Sequence, residues 1–569
     1  MTQSATEPPT IEQPAPTPVD ALAERFWEGF LTRNPGWATV FGDERYDDRL
    51  DDPSEVGRAR ELAALDELER DVAALEDPGL PTEDRVTLDI LRVVAHMRRE
   101  YHAHRLWQMD GIDQMQGPQT LPTDLARFQR MDTPERLARL IARLDAYPAY
   151  MAAISDNIRA GLAAGRTAAR AVVERTITQT RRAVETPTHE SALLVAHPEL
   201  SGEERAAVTA AIERSIQPAL RDFLDLLETY LPKARAGEGV CWLPDGEQVY
   251  RYSILASTTL DETPEALHAH GLQRIAVLDG ERTRIAQRLG YADAAAFRAF
   301  LETDPANHAS EPAELVRLAQ AQVTRAFAAA PAWFGRLPSA DCEVMPVEPH
   351  QEQEAPPAFY FPPSTDGSRP GRYYINTFQP GSRPLHRLAA TTFHEATPGH
   401  HFQIALEAEL PQLNAFRRLG SRLAGMAYAE GWGLYAERLA DEMGLYADDR
   451  ERFGMLDSEA WRAARLVVDT GIHAFRWTRQ QSMEFLRSAA GLSQLEAETE
   501  TDRYIGWPGQ ALAYTTGQRE IEALRQELAA RDGDRFDLRG FHDQVIGHGS
   551  LPLATLRREL PRWVVPSEA

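Results

Sequence analysis

From residue 20 onward, apolar side chains recur three and four positions apart, the spacing of helices that bury one face. Leu22, Phe26, Trp27 and Phe30 form the first such stripe, with Asp20 placed to cap it. Long helices are predicted at about 56–76 and 82–107, the second carrying Leu88, Leu91, Val94 and Ala95 on one side. More follow at 133–164, 167–184 and 201–234, where Ser201 and Glu204 make a capping box. Helical periodicity resumes from Thr263 to Phe327 and again from about residue 388 to the end. The segment 239–255, with turn chemistry at Pro244-Asp245-Gly246, reads as a loop or short strand. The acidic cluster Asp47, Asp48, Asp51 and Asp52 reads as a solvated turn.

The period changes between 340 and 380. CEVMPVEP, PAFYFPP and GRYYINTF are short, β-branched or aromatic, and bounded by Pro and Gly, so they are predicted strands. GRYYINTF precedes the histidine-rich stretch and is expected to be an edge strand, where Tyr374 and Asn376 would meet an extended substrate. The pattern thus predicts a mainly α protein: one large multi-helix body over 20–569 with a small β-sheet near its site. Residues 1–19, rich in Pro, Thr and Glu, read as a disordered tail.

Composition narrows the partners. The 569 residues carry a formal net charge of -25, which argues against nucleic acid or an anionic membrane. Two cysteines exclude a disulfide framework and suit a reducing cytoplasm. No apolar run reaches the ~18 residues that span a bilayer.

The chemistry concentrates in Thr391–Gln403, TTFHEATPGHHFQ. His-Glu followed by a further His on the same segment is the pattern of a zinc hydrolase, with two imidazoles as ligands and the Glu as general base. The second ligand of an unbroken helix would fall at i+4, which is Pro398 and cannot bind. At 3.6 residues per turn neither His400 nor His401 shares a metal with His394. Pro398-Gly399 permits a bulge: looping out two residues brings His400 into register, and looping out three brings His401. His394 and His400 are the preferred ligands and Glu395 the base, with His401 then turned towards substrate. A catalytic zinc wants a third protein ligand. Glu430, in the aromatic stretch YAEGWGLY, is preferred over Glu437 seven residues on. Tyr514, Tyr504 and His473 are candidate donors to an oxyanion, and Arg503 or Arg372 could hold a substrate carboxylate.

Taken together, HEATPGHH, AEGWGLYAE, RLVVDTGIH, RYIGWPGQALAYTTGQ and FHDQVIGHGSLPL resemble the bacterial family called domain of unknown function 885. The resemblance covers nearly the whole chain after the tail. It implies a helical zincin, similar to deep-channel oligopeptidases and helical carboxypeptidases, with its catalytic part at about 340–530. It places the ligand, base and oxyanion roles on His394, His400, Glu430, Glu395 and Tyr514. The expected function is zinc-dependent cleavage of short peptides in an internal cleft. The rivals are hydrolysis of a non-peptide amide, and an inactive helical binding protein that keeps its metal.

Overall fold

The computed structural model describes residues 16–566 apart from 349–351, 353–354, 365–366 and 368, so most of the expected tail lies outside the described residues. With 71% of the chain helical, the one small sheet is an inset in a helical body. Helix starts follow local chemistry. The first helix, Pro18–Arg33, is capped by Thr17 rather than Asp20, which closes the capping box from the third helical position. The predicted box at Ser201 and Glu204 is present. Gly246–Thr258 is a helix where a loop or strand was expected. Asp47 is buried, not solvated, and accepts a hydrogen bond from the Thr39 hydroxyl at 2.6 Å.

Three helices and one broken pair frame the site. The histidine pair comprises Leu388–Glu395 and His400–Ala408. The glutamate helix is Met426–Glu442, the arginine helix Asp449–His473 and the tyrosine helix Ala513–Asp532. The glutamate helix packs along the tyrosine helix, and Pro264–Arg288 packs along the arginine helix. Nearly every residue of the arginine helix beyond its first turn is buried, which makes it the central rod of the body.

Two large apolar cores form. One gathers helices between residues 112 and 301 with the arginine helix, and takes Ala389, Ala390 and Phe393 from the first half of the histidine pair. The other gathers the N-terminal helices with the tyrosine helix and the C-terminal segment, and takes Phe402 and Leu406 from the second half. The glutamate helix gives Ala440 to the first core and Tyr428, Trp432 and Leu439 to the second.

The sheet has the order β1-β3-β2, from β1 (Cys342–Pro346), β2 (Ala358–Phe361) and β3 (Gly371–Ile375). β3 pairs in parallel with β1, Val344 opposite Tyr373, and antiparallel with β2, Tyr360 opposite Tyr373. GRYYINTF is thus the centre of the sheet and not its edge. Both its backbone edges are occupied, so strand addition on β3 is excluded. Among the described residues no helix is long and apolar enough to cross a membrane.

Candidate metal centre

The histidine pair is interrupted more deeply than a bulge. Proline lacks the amide hydrogen a helix needs, and it pushes the residue before it out of helical backbone geometry. The first helix accordingly stops at Glu395, and a separate helix starts at His400. Residues 396–399 form the link, with a cis Thr397–Pro398 peptide. Trp432 of the glutamate helix donates its indole N–H to the Pro398 carbonyl at 2.9 Å and fastens this link to the neighbouring helix.

That path brings His394, His400 and Glu430 together, with one ligand-type atom from each lying within 4.8 Å of the others. Glu430 Oε2 lies 3.5 Å from His394 Nε2 and 3.4 Å from His400 Nε2. In a tetrahedral zinc site, ligand atoms about 2.0–2.2 Å from the ion lie roughly 3.3–3.6 Å apart. Glu430 Oε2 is buried and makes no hydrogen bond, although buried carboxylate oxygens normally require a partner. Spacing, donor types and this orphaned oxygen together fit a divalent cation of the zinc kind.

His394 is oriented from behind. Its Nδ1–H donates to Glu437 Oε1 at 2.9 Å, and its Nε2 is turned towards Glu430. Gly433 makes room for the ring: a Cβ there would sit 2.7 Å from His394 Cε1. Burial opposes charge on His394, but the carboxylates of Glu430 and Glu437 outweigh it and push the imidazole up to about 9. Burial likewise works against the Glu430 carboxylate, yet the two imidazoles hold it well below the usual range.

Tyr514 stands over this cluster, its ring 6.2 Å from that of His394 and inclined by 22°. The tyrosine and glutamate helices approach closely where Gly431 meets Gly517; a Cβ on Gly517 would fall 1.8 Å from the Ala427 carbonyl. Burial, then the charge of Glu430, raise the Tyr514 phenol and keep it protonated as a donor. Glu395 ends the first histidine helix, half-buried. Its charge reaches Cys342 and Tyr373 on the sheet. His401 points elsewhere. Its Nδ1 accepts from the Tyr360 hydroxyl and its Nε2–H donates to the Ala340 carbonyl, both at 3.0 Å. Burial drops this imidazole to about 4. It anchors the second histidine helix to the sheet and has no nitrogen left for substrate.

Several other expected site residues serve as supports. His473 accepts from the Val240 amide and donates to the Tyr504 carbonyl, so neither nitrogen is free for an oxyanion. Burial takes it down to about 3. The Tyr504 hydroxyl donates to Glu500 and accepts from Trp461 and Arg465. Arg503 is held by Glu500 and Gln510. Tyr374 is buried and stacked on Phe359 at 5.0 Å. Asn376 donates to the Glu352 and Ala355 carbonyls and accepts from the Phe378 amide, which closes a turn. Arg372 lies on β3, 3.6 Å from Glu343. Sequence reasoning missed Arg465, although it begins the quoted segment RLVVDTGIH, and it missed Glu437 as the partner of His394. The seven-residue spacing of Glu430 and Glu437, two turns on one helix face, was the available signal for the latter.

Fold and centre together define a large helical protein with a two-histidine, one-glutamate cluster at a broken helix. Its sequence matches the family described as bacterial protein of unknown function (DUF885) over residues 35–560, and the chain belongs to that family. Among solved structures it is similar to one from Colwellia psychrerythraea, named a "putative lipoprotein", at 26% identity and a TM-score of 0.90. That match covers 96% of this chain and 98% of the other. A second such structure, from Shewanella oneidensis, shares the fold at 20% identity and a TM-score of 0.74, covering 95% of this chain and 99% of the other. No curated protein matches the chain.

Proposed function

We propose that this chain is a zinc-dependent hydrolase of the zincin kind that cleaves peptide bonds in short peptides. The observation that carries the reading is the buried, hydrogen-bond-free Oε2 of Glu430 facing two imidazole nitrogens at 3.5 and 3.4 Å, with Glu395 adjoining the first. A zinc ion held by His394, His400 and Glu430 would supply a Lewis acid and lower the pKa of water. Glu395 would take the proton from the attacking water and return it to the leaving amine. Tyr514 would donate its hydroxyl to the oxyanion as the carbonyl becomes tetrahedral. Glu437 would keep His394 in the tautomer that presents Nε2. A structural metal would need no carboxylate beside its ligand, so Glu395 favours an enzyme over a binding protein.

The test combines metal analysis with hydrolysis of a mixed tetrapeptide-to-octapeptide library. The purified chain should hold one zinc per molecule and cleave members of the library. Glu395→Gln should keep the metal and lose about 10²-fold or more in turnover. Wild-type turnover in a zinc-replete Glu395→Gln protein would refute the mechanism.

A further inference from the structure

Beyond the metal ligands, the wall behind Tyr514 holds an unmatched cation. Arg465 is 4% exposed and belongs to the arginine helix. Its Nε donates to the Tyr504 hydroxyl at 2.9 Å and its Nη2 to Glu500 at 3.3 Å. Its Nη1 is buried and has no partner. Among the described residues only one other terminal guanidinium nitrogen shares that condition, Nη2 of Arg422, and Arg422 has Glu407 at 3.6 Å. Arg465 must share its carboxylate: Glu500 also receives Arg503 at 2.8 Å and the Tyr504 hydroxyl at 2.6 Å. The buried Arg465 and the half-buried Arg503 thus face one carboxylate. A buried guanidinium nitrogen without a partner, on a cation that shares its carboxylate, is costly unless something anionic completes it.

The position of this cation gives the missing anion a role. The Arg465 guanidinium carbon lies 4.3 Å over the Tyr514 ring, and that ring lies 6.2 Å from His394. Even end to end, these spacings amount to about three extended residues. That is the reach of a peptide bound at the metal centre with one or two residues beyond the cleaved bond. Arginine's planar fork suits a carboxylate, and Nε and Nη2 are already fixed, so Nη1 is presented in one orientation.

We propose that Arg465 Nη1 receives the free C-terminal carboxylate of the substrate, so that the centre removes one or two residues from the carboxyl end of short peptides. Arg503, bound to the same Glu500 oxygen, adds charge beside it. The proposal rests on the peptidase reading for its chemistry, but the carboxylate site itself can be measured without turnover.

The experiment pairs each peptide with its C-terminal amide. Zinc-loaded Glu395→Gln protein is titrated calorimetrically with both forms, and wild-type protein is assayed for hydrolysis of both. The free acid should bind at least about tenfold more tightly than the amide, the scale of one hydrogen bond to a charged group. In Arg465→Gln and Arg465→Met that preference should disappear, with the loss in KM exceeding the loss in kcat. Equal binding of acid and amide by the zinc-loaded Glu395→Gln protein overturns the proposal, even if peptides are cleaved. Cleavage of both forms at equal efficiency overturns it too, and leaves the peptidase reading intact. Selective binding of the acid with no cleavage of any peptide upholds the carboxylate site and overturns the peptidase reading instead. Because the acid–amide comparison uses intact Arg465, misfolding of an Arg465 variant does not remove the test.

Discussion

Gly433→Ala isolates the geometry of the His394 imidazole. The new methyl would sit 2.7 Å from Cε1, 2.9 Å from Nε2 and 3.0 Å from Nδ1. Carbon contacts are comfortable only near 3.5 Å, so the ring must retreat by roughly 0.5–0.8 Å. It cannot do so freely, because it is 2% exposed and tied to Glu437 at 2.9 Å. Two effects on stability oppose each other. Alanine in a helix interior is favoured over glycine by about 1 kcal/mol. Overpacking costs about 1–3 kcal/mol. The metal-free protein should therefore be destabilised by no more than about 2 kcal/mol and could remain near neutral. Zinc affinity has no such compensation, since Nε2 itself is displaced. It should fall by about 10–100-fold, the range seen when support of a ligand is lost. Competition against a chromophoric chelator measures the affinity, and melting curves with and without zinc measure the stability. A Gly433→Ala protein with native zinc affinity would refute the claim that this glycine exists to admit the ring.

Three further outcomes are expected. Glu430→Ala should lose bound zinc outright, whereas Glu437→Ala should keep a stoichiometric ion at roughly 10–100-fold lower affinity; metal analysis and chelator competition on both variants decide the roles. His401→Ala should retain zinc but cost about 1–3 kcal/mol of stability, because the Tyr360 hydroxyl and Ala340 carbonyl lose their partner; His400→Ala should do the reverse, and exchanged results would reverse the ligand assignment. Since His473 is held neutral down to about pH 3, only the unfolded chain takes up a proton as pH falls below about 6.5. Its contribution to stability is therefore full above that value and is lost between there and about pH 3, at up to about 1.4 kcal/mol per pH unit. Denaturant melts of a His473→Gln variant should show a shallower decline over that window, and an unchanged slope would contradict this.

The candidate ligand set was legible in part, because helix arithmetic and donor chemistry are both local. Pro398 in the i+4 slot forces a break, which leaves His400 and His401 both possible, and the structure brings His400 to His394 and Glu430. The depth of the break was not legible: a bulge and two separate helices satisfy the same spacing, and Trp432, which holds the link, comes from another helix. The strand character of 371–375 could be read from residue type, but its central position depends on what pairs on either side, which β1 and β2 decide. His473, Tyr504, Asn376 and His401 share one cause of error. Each has the right functional group for catalysis, and each spends it on a protein neighbour: Tyr504 donates to Glu500 one turn away, whereas His473 and His401 bond to groups distant in sequence. Arg465 went unseen for the opposite reason, since one of several arginines along a charged helix announces nothing until its unpartnered nitrogen is found.

The interruption at residues 396–399 also divides loyalties. His394 rides on a helix whose Ala389, Ala390 and Phe393 belong to one core, and His400 opens a helix whose Phe402 and Leu406 belong to the other. Glu430 stands on a helix that feeds both. The three donors thus act as a caliper spanning two packed masses, and the gap between its jaws reports their relative displacement. Tightly packed interiors shift as blocks rather than stretching. A substitution deep in either core, far from any donor, can therefore open the caliper, and an ion gripped in it would stiffen the seam. Metal affinity in this chain should accordingly be a strain gauge for the whole body.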